Sequence, residues 1–143
     1  MTVVATRARP VLVSEVMSAP TVTVAPTTSV WSAWSILLQS GLRHLVVAAG
    51  DQCSGVIDDR TLFAEWTSGP MAMRHRKVRD LLPPCTTCVL PDSEIQMVAR
   101  AMARGSTDAV PVVDSDGRLV GIVTGSDVVR AVATSGIWTE ELS

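Results

Sequence analysis

"LVGIVTGSDVVRAV", residues 119–132, has a counterpart earlier in the chain, "CSGVIDDRTLFAEW", residues 53–66. In each, a glycine (Gly121 or Gly55) precedes two β-branched residues, a polar tetrapeptide and a set of apolar positions. The tetrapeptides are Thr124-Gly125-Ser126-Asp127 and Asp58-Asp59-Arg60-Thr61, so the hydroxyl and the carboxylate have exchanged ends. β-branched residues favour a strand, and a polar stretch opening onto periodic apolar residues is a helix start. The same strand-into-helix unit is therefore written twice, and the chain is an internal repeat.

A shift of 65 residues extends the match: "VSEVM" (13–17) falls on "VRDLL" (78–82), "TVTVAP" (21–26) on "TTCVLP" (86–91), and "HLVVAAGD" (44–51) on "AVPVVDSD" (109–116). One extra residue in the second turn then brings Gly55 onto Gly121. Few positions are identical, but the apolar pattern persists. In each half a proline, Pro26 or Pro91, precedes a helical stripe, and Asp92 is a suitable N-cap. The stripes are Val30, Ala33, Trp34, Leu37, Leu38 and Ile95, Val98, Ala99, Met102, Ala103, one face of an amphipathic helix each. β-rich runs follow at residues 45–49 and 110–113, then turns ("AGDQCS"; "DSDGR", with its Asp-Gly hairpin signal), then strands at 55–57 and 119–123 and a last helix. So short a sheet covers one face with its own helices and needs a partner for the other. The expected fold is α/β (α+β): two pseudo-symmetric β-α-β-β-α repeats packed sheet to sheet. Repeat 1 spans 10–66, a basic linker 67–77, repeat 2 78–134, and a C-terminal tail 135–143.

This element order resembles the CBS domain, and the chain as a whole resembles a tandem CBS pair, or Bateman module. The resemblance rests on "TVTVAP", "HLVVAAGDQCSGVI" and "DDRTL" in the first half, and on "TTCVLPDSEI", "AVPVVDSDGRLVGIVTGSD" and "VVRAV" in the second. It covers about residues 10–134 and is densest in the second half. It implies a non-enzymatic regulatory module that binds an adenosine-containing ligand between the repeats and signals to a separate partner protein. The ligand class would be AMP, ADP, ATP or S-adenosylmethionine, acting as a regulatory ligand and not as a catalytic cofactor. The Thr124-x-x-Asp127 element then carries the ribose, its carboxylate accepting from two adjacent hydroxyls. A helix N-terminus beside it suits a phosphate. The same spacing fits a capping box, and the two roles are compatible.

The exchanged tetrapeptide follows from this. Asp58 can cap its helix, but Thr61 stands where the ribose carboxylate belongs, and a single hydroxyl cannot replace a two-oxygen acceptor. Site 1 (Asp58, Thr61) is expected to be degenerate and site 2 competent. Before the strand, repeat 1 has Arg43-His44 where repeat 2 has Asp108-Ala109. Charge for a phosphate would come from Arg130, or from Arg43 and His44 across the cleft; His44 as a satisfied interface histidine is the other reading. The resemblance lines the adenine with Thr86, Thr87, Ala109, Val110 and Pro111. It also implies a homodimer through the repeat helices, for which Trp31, off the stripe, is either an anchor or a cover for its own core. The alternative function is a ligand-free dimeric interaction scaffold with both sites decayed.

Composition sets the remaining bounds. With 47% apolar and 18% charged residues the chain has the material for a packed core. Net charge is −2, with no Tyr and one Phe, which argues against nucleic acid. Apolar runs such as residues 45–49 are far short of the roughly 18 residues of a membrane span. No signal-peptide core is evident in "MTVVATRARP", so the simplest expectation is a cytoplasmic protein. The cluster Arg74, His75, Arg76, Lys77, Arg79 reads as a solvated linker face or a partner patch. Cys85-x-x-Cys88 has metal or redox spacing but sits between prolines, and a zinc site needs about four ligands, so no metal site is expected. No Ser-His-Asp set or phosphate loop is present to suggest an enzyme.

Overall fold

A computed structural model describes residues 9–19, 22–83, 87–105 and 107–135. Thr86, Cys85, Trp138 and the tail beyond 135 lie outside them. Among the described residues the order is α1 (Val13–Val16), β1 (Thr23–Val24), α2 (Val30–Ser40), β2 (His44–Ala49), β3 (Gln52–Asp58), α3 (Asp59–Glu65), α4 (Pro70–His75), α5 (Ile95–Gly105), β4 (Ala109–Val113), β5 (Leu119–Thr124) and α6 (Gly125–Ser135).

The repeat is geometrical as well as sequential. β1, β2 and β3 form one sheet, with β1 parallel to β2 and β2 antiparallel to β3. In the second half β4 pairs antiparallel with β5, and the first strand is reduced to a parallel bridge from Val89 to Val112. Val24 pairs with Val47 in the equivalent place. Both hairpins carry a bulge at the same point, Val47/Ala48 and Val112/Val113. The turns use the expected chemistry: the Asp114 carboxylate accepts from the Asp116 and Arg118 N–H groups, both at 2.9 Å.

Local signals explain the helix ends. The Ser29 hydroxyl accepts from the Ser32 N–H at 3.1 Å and opens α2, and Gly41 closes it at φ 69°. The buried α2 face is Val30, Ala33 and Leu37; Leu38, expected on that stripe, is exposed, because the narrow sheet covers less than the full apolar arc. α5 begins at Ile95, so Asp92 lies in the preceding turn and not at the cap. The basic linker is structured: a 3₁₀ turn (Trp66–Ser68) leads into α4, whose Met73 is fully buried.

Both faces of the inner strands are buried. Leu45 and Val47 of β2 face one helix-covered core, and Val110 and Val112 of β4 face the other. The alternate residues Val46, Ala48, Ala109 and Pro111 are buried on the opposite face, which is the junction between the two sheets. At its edge Leu119 N–H donates to Asp51 O at 2.7 Å, and Gln52 bridges Arg118.

The two repeats trade their leading segments. Val13, at the head of repeat 1, is fully buried in the second core among Val98, Val110 and Val123. Its backbone is tied there by Val13 N–H to Ser93 O (2.8 Å), Ser14 N–H to Pro91 O (2.8 Å) and Ile95 N–H to Val11 O (2.9 Å). Reciprocally, Val78 is fully buried in the first core, held by Val78 N–H to Thr28 O (2.9 Å) and Val30 N–H to Arg76 O (2.9 Å). The sequence repeats and the packing units are therefore not coextensive.

Gly121 is where this exchange is tightest. Ser18 and Ile122 swap backbone hydrogen bonds at 3.0 and 2.9 Å, and a Cβ on Gly121 would meet Ser18 O at 3.0 Å and Met17 Sδ at 2.8 Å. Gly121→Ala is expected to destabilise the protein by about 1–3 kcal/mol, the usual range for overpacking. Urea unfolding checks it, and an unchanged midpoint would show that the leading segment is not held against β5.

Candidate functional site

The strand-to-helix junction of repeat 2 is a reciprocal box. Thr124 N–H donates to Asp127 Oδ2 at 2.9 Å, the Thr124 hydroxyl to the same oxygen at 3.1 Å, and Asp127 N–H returns a bond to Thr124 Oγ1 at 3.4 Å. The other carboxylate oxygen, Oδ1, accepts from Arg130 Nη1 at 3.3 Å. Asp127 is 6% exposed, the one buried charged side chain among the described residues. The Arg130 side chain lies largely in solvent. A carboxylate sunk at a helix start with one oxygen toward a solvent-exposed cation can exchange that cation for neutral donors.

Repeat 1 has only half of this. Asp58 Oδ1 caps α3 by accepting from Thr61 N–H at 2.7 Å, and Thr61 brings no acid to the third helical position. Asp59 accepts from Arg60 N–H at 2.9 Å and lies 3.9 Å from Arg43 Nε. The loops before the two strands are fastened alike, Asp59 N–H to Arg43 O (3.0 Å) and Gly125 N–H to Asp108 O (2.8 Å).

Between the repeats, His44 Nε2 and Asp108 Oδ1 are 2.8 Å apart, so this histidine is partnered by the acid of the opposite repeat. This bond holds the Asp108 carboxyl below the usual carboxylate range, with the positive charge of Arg43 adding to it. An acid whose folded value is lowered stabilises the protein above its unfolded pKa of about 4, and the gain is lost as pH falls through the lower folded value. Asp108→Asn is thus expected to flatten the acid limb of stability below about pH 4 by under ~1 kcal/mol, since the carboxylate is nearly half exposed. Chemical denaturation from pH 3 to 7 measures this; an unchanged limb would deny the pair a thermodynamic role.

The remaining sequence candidates separate by face. Ala109 stands opposite Thr124 in the β4–β5 register, beside the box. Pro111 is buried on the same face, whereas the Val110 side chain belongs to the helix-side core. Thr87 is exposed, and Thr86 lies outside the described residues. Arg43, His44 and Arg130, the proposed phosphate cations, each face a carboxylate (Asp59, Asp108, Asp127). Of the basic cluster, Arg76 pairs with Glu65 and Arg74 lies 5.0 Å over the Trp31 ring.

Among the described residues the aromatic side chains gather on repeat 1. Trp31 stacks on Trp66 at 6.3 Å and lies against its own core's edge; Trp34 meets Phe63 at 6.0 Å. Phe63 is 60% exposed, and with Trp34, Asp59, Arg60 and Ala64 it bounds an open groove of about 280 Å³. Sequence reading had singled out Trp31 instead of this Phe63 face. A satisfied interface histidine at His44 was one of the two readings of the sequence; its partner was not legible, because Asp108 matches Arg43 and not His44 in the repeat alignment.

Comparison with known proteins bears on this geometry. The CBS domain model matches residues 13–67 and again residues 78–134. Homoserine O-acetyltransferase of Methanococcoides burtonii is 27% identical over 121 residues, 84% of this chain and 24% of that protein, so the chain spans about a quarter of such a relative. The crystal structure of the CBS domain pair of protein MJ0100, in complex with 5'-methylthioadenosine and S-adenosyl-L-methionine, superposes with a TM-score of 0.74 at 25% identity, covering 87% of this chain and 98% of that one. CBSX2 in complex with AMP gives 0.73 at 30% identity, covering 85% and 96%. Among the described residues no helix is long and apolar enough to cross a membrane.

Proposed function

This chain belongs to the CBS-domain family, whose domain it carries twice, and from that premise we propose that it is a non-enzymatic regulatory module that binds an adenosine-containing ligand at the repeat-2 end of the inter-repeat cleft. The observation that carries the reading is the buried Asp127 carboxylate in its box with Thr124, set against the Asp58/Thr61 junction that lacks the acid. Ligands named with the similar pairs, AMP, 5'-methylthioadenosine and S-adenosyl-L-methionine, share adenosine and differ at the 5' end. In this chain the ribose hydroxyls take the Oδ1 position now given to Arg130. The freed guanidinium then stands beside the 5' group, and the first turn of α6 adds its N-terminal dipole. Two cations and a histidine already facing carboxylates favour a ligand of low negative charge, AMP or S-adenosylmethionine over ATP.

Occupancy is read by a separate partner protein through a homodimer that joins the repeat helices. The exposed Phe63 of the repeat-1 groove and the exposed Trp66, which meets Trp34 at 6.4 Å, support that surface, large aromatics being the side chains that anchor interfaces. Each cation's carboxylate partner favours a second reading, a dimeric scaffold without ligand. Thermal unfolding against AMP, ADP, ATP, NAD and S-adenosylmethionine separates the two. A ligand at about 100 times its dissociation constant adds roughly 2.7 kcal/mol, several degrees in Tm. No shift with any of them leaves the scaffold standing. Sedimentation of the dimer is expected at twice the 15.2 kDa chain mass, and a monomer would remove the proposed readout.

A further inference from the structure

Cys88 meets Cys53 across the seam between the repeats. Cys53 lies on β3, opposite Ala48. Cys88 directly precedes Val89, which is fixed to β4 by Val89 N–H to Pro111 O (3.1 Å) and Val113 N–H to Val89 O (2.9 Å). β3 and the β4–β5 hairpin are stitched together beside Cys53, by Leu119 N–H to Asp51 O and by the Gln52–Arg118 bridge. The two side chains hydrogen-bond to each other there, and both are free thiols, Cys88 exposed and Cys53 half-buried.

The contact makes the two sulfurs chemically unequal. A hydrogen bond from the Cys53 thiol stabilises the Cys88 thiolate and brings Cys88 down to about 7, while the same bond, with burial, pushes Cys53 up. Thiolate is the attacking form, and a thiol with a pKa near ambient pH is the effective nucleophile.

We propose that Cys88 and Cys53 form a peroxide-sensing pair, Cys88 attacking and Cys53 resolving, whose disulfide locks the two repeats together along their seam. The Cys88 thiolate attacks one oxygen of hydrogen peroxide; the O–O bond breaks, hydroxide leaves and Cys88 becomes a sulfenic acid. The Cys53 sulfur then attacks the Cys88 sulfur, the S–O bond breaks, and the departing hydroxide takes the Cys53 proton. Two thiols and one peroxide give one disulfide and two waters; both sulfurs are oxidised and the peroxide oxygens reduced. A disulfide needs Cα atoms within about 7 Å, so closing the bond requires the two segments to hold or reach that spacing. The bond would join β3 of repeat 1 to the lead-in of repeat 2, one residue from Thr87, so its closure acts at the edge of the cleft. The chemistry itself is independent of the ligand.

The test is peroxide titration of the reduced full chain, followed by alkylation, non-reducing tryptic digestion and mass spectrometry. Cys85 and Cys88 share the peptide 80–100, and Cys53 lies in 44–60, so Cys85→Ser is run beside wild type. The expected product links 44–60 to 80–100 within one chain, lighter by two hydrogens, kept in Cys85→Ser and lost in Cys53→Ser and Cys88→Ser. Its formation raises the melting temperature by roughly 5 °C or more, as closure of a loop of this size predicts. A Cys85–Cys88 bond, a bond between chains, or Cys88 sulfinic acid without a cross-link would overturn the pair. A cross-link that lowers the melting temperature would overturn the lock.

Discussion

Asp127→Ala is expected to lose adenosine-ligand binding at least ~100-fold. The carboxylate is offered two ribose hydroxyls, and hydrogen bonds to a charged group contribute about 1.5–3 kcal/mol each, so 3 kcal/mol or more is at stake. The fold loses less. Thr124 remains to accept at the helix start, and the missing reciprocal bond costs about 1 kcal/mol, as for a weakened cap. The variant therefore stays folded with a slightly lower melting temperature and no ligand-induced rise, which differential scanning reads directly. Asp127→Asn keeps an acceptor for the Thr124 N–H but gives up the charge and falls between the two. The converse substitution, Asp58→Thr with Thr61→Asp, writes the whole box into repeat 1, and calorimetry is expected to count additional binding there. A ligand shift that survives Asp127→Ala would move the site to the other repeat, where Asp58 and Asp59 would have to be its acids.

A chain beginning at residue 19 is expected to lose the second core before the first. Residues 11–18 contribute Val13, fully buried among Val98, Val110 and Val123, and backbone bonds to Ser93, Pro91 and Ile122. Burying a valine is worth about 1.5–3 kcal/mol, and each lost hydrogen bond adds roughly 0.5–1.5 kcal/mol. A loss of several kcal/mol is a large share of the stability of a single domain, about 5–15 kcal/mol. It falls on one core, because Val24, Leu45 and Met73 of the other make no use of the missing segment. Hydrogen exchange is the measurement: amides of β4 and β5 lose protection while those of β2 keep theirs. Equal loss in both sheets would mean that the seam couples the repeats more strongly than the exchanged segments do.

The repeat was legible because its signals are local. The β-rich apolar runs in "HLVVAAGD" and "AVPVVDSD", helical spacing from Val30 and Ile95, and the Asp-Gly turn each act within one element, and the hairpins follow them down to matching bulges. The capping role of Asp58 was legible for the same reason, since it involves residues three apart. The limits of the α2 stripe were not: whether Leu38 is covered depends on how wide a sheet lies beneath it, and the sheet is narrow.

The helix-strand-strand-helix order within each repeat, the two junctions and the difference between them were thus determined by sequence alone, through propensity and periodicity over a few residues, whereas α1 and α4 were not. Tertiary structure decided which core each leading segment enters, that His44 faces Asp108 at a separation of 64 residues, and that Cys88 meets Cys53. Those pairings are made by the pseudo-twofold packing of two sheets whose outer faces are already covered. Any apolar face of the right size would have met the same local rules, so the choice belongs to the packing of the whole chain.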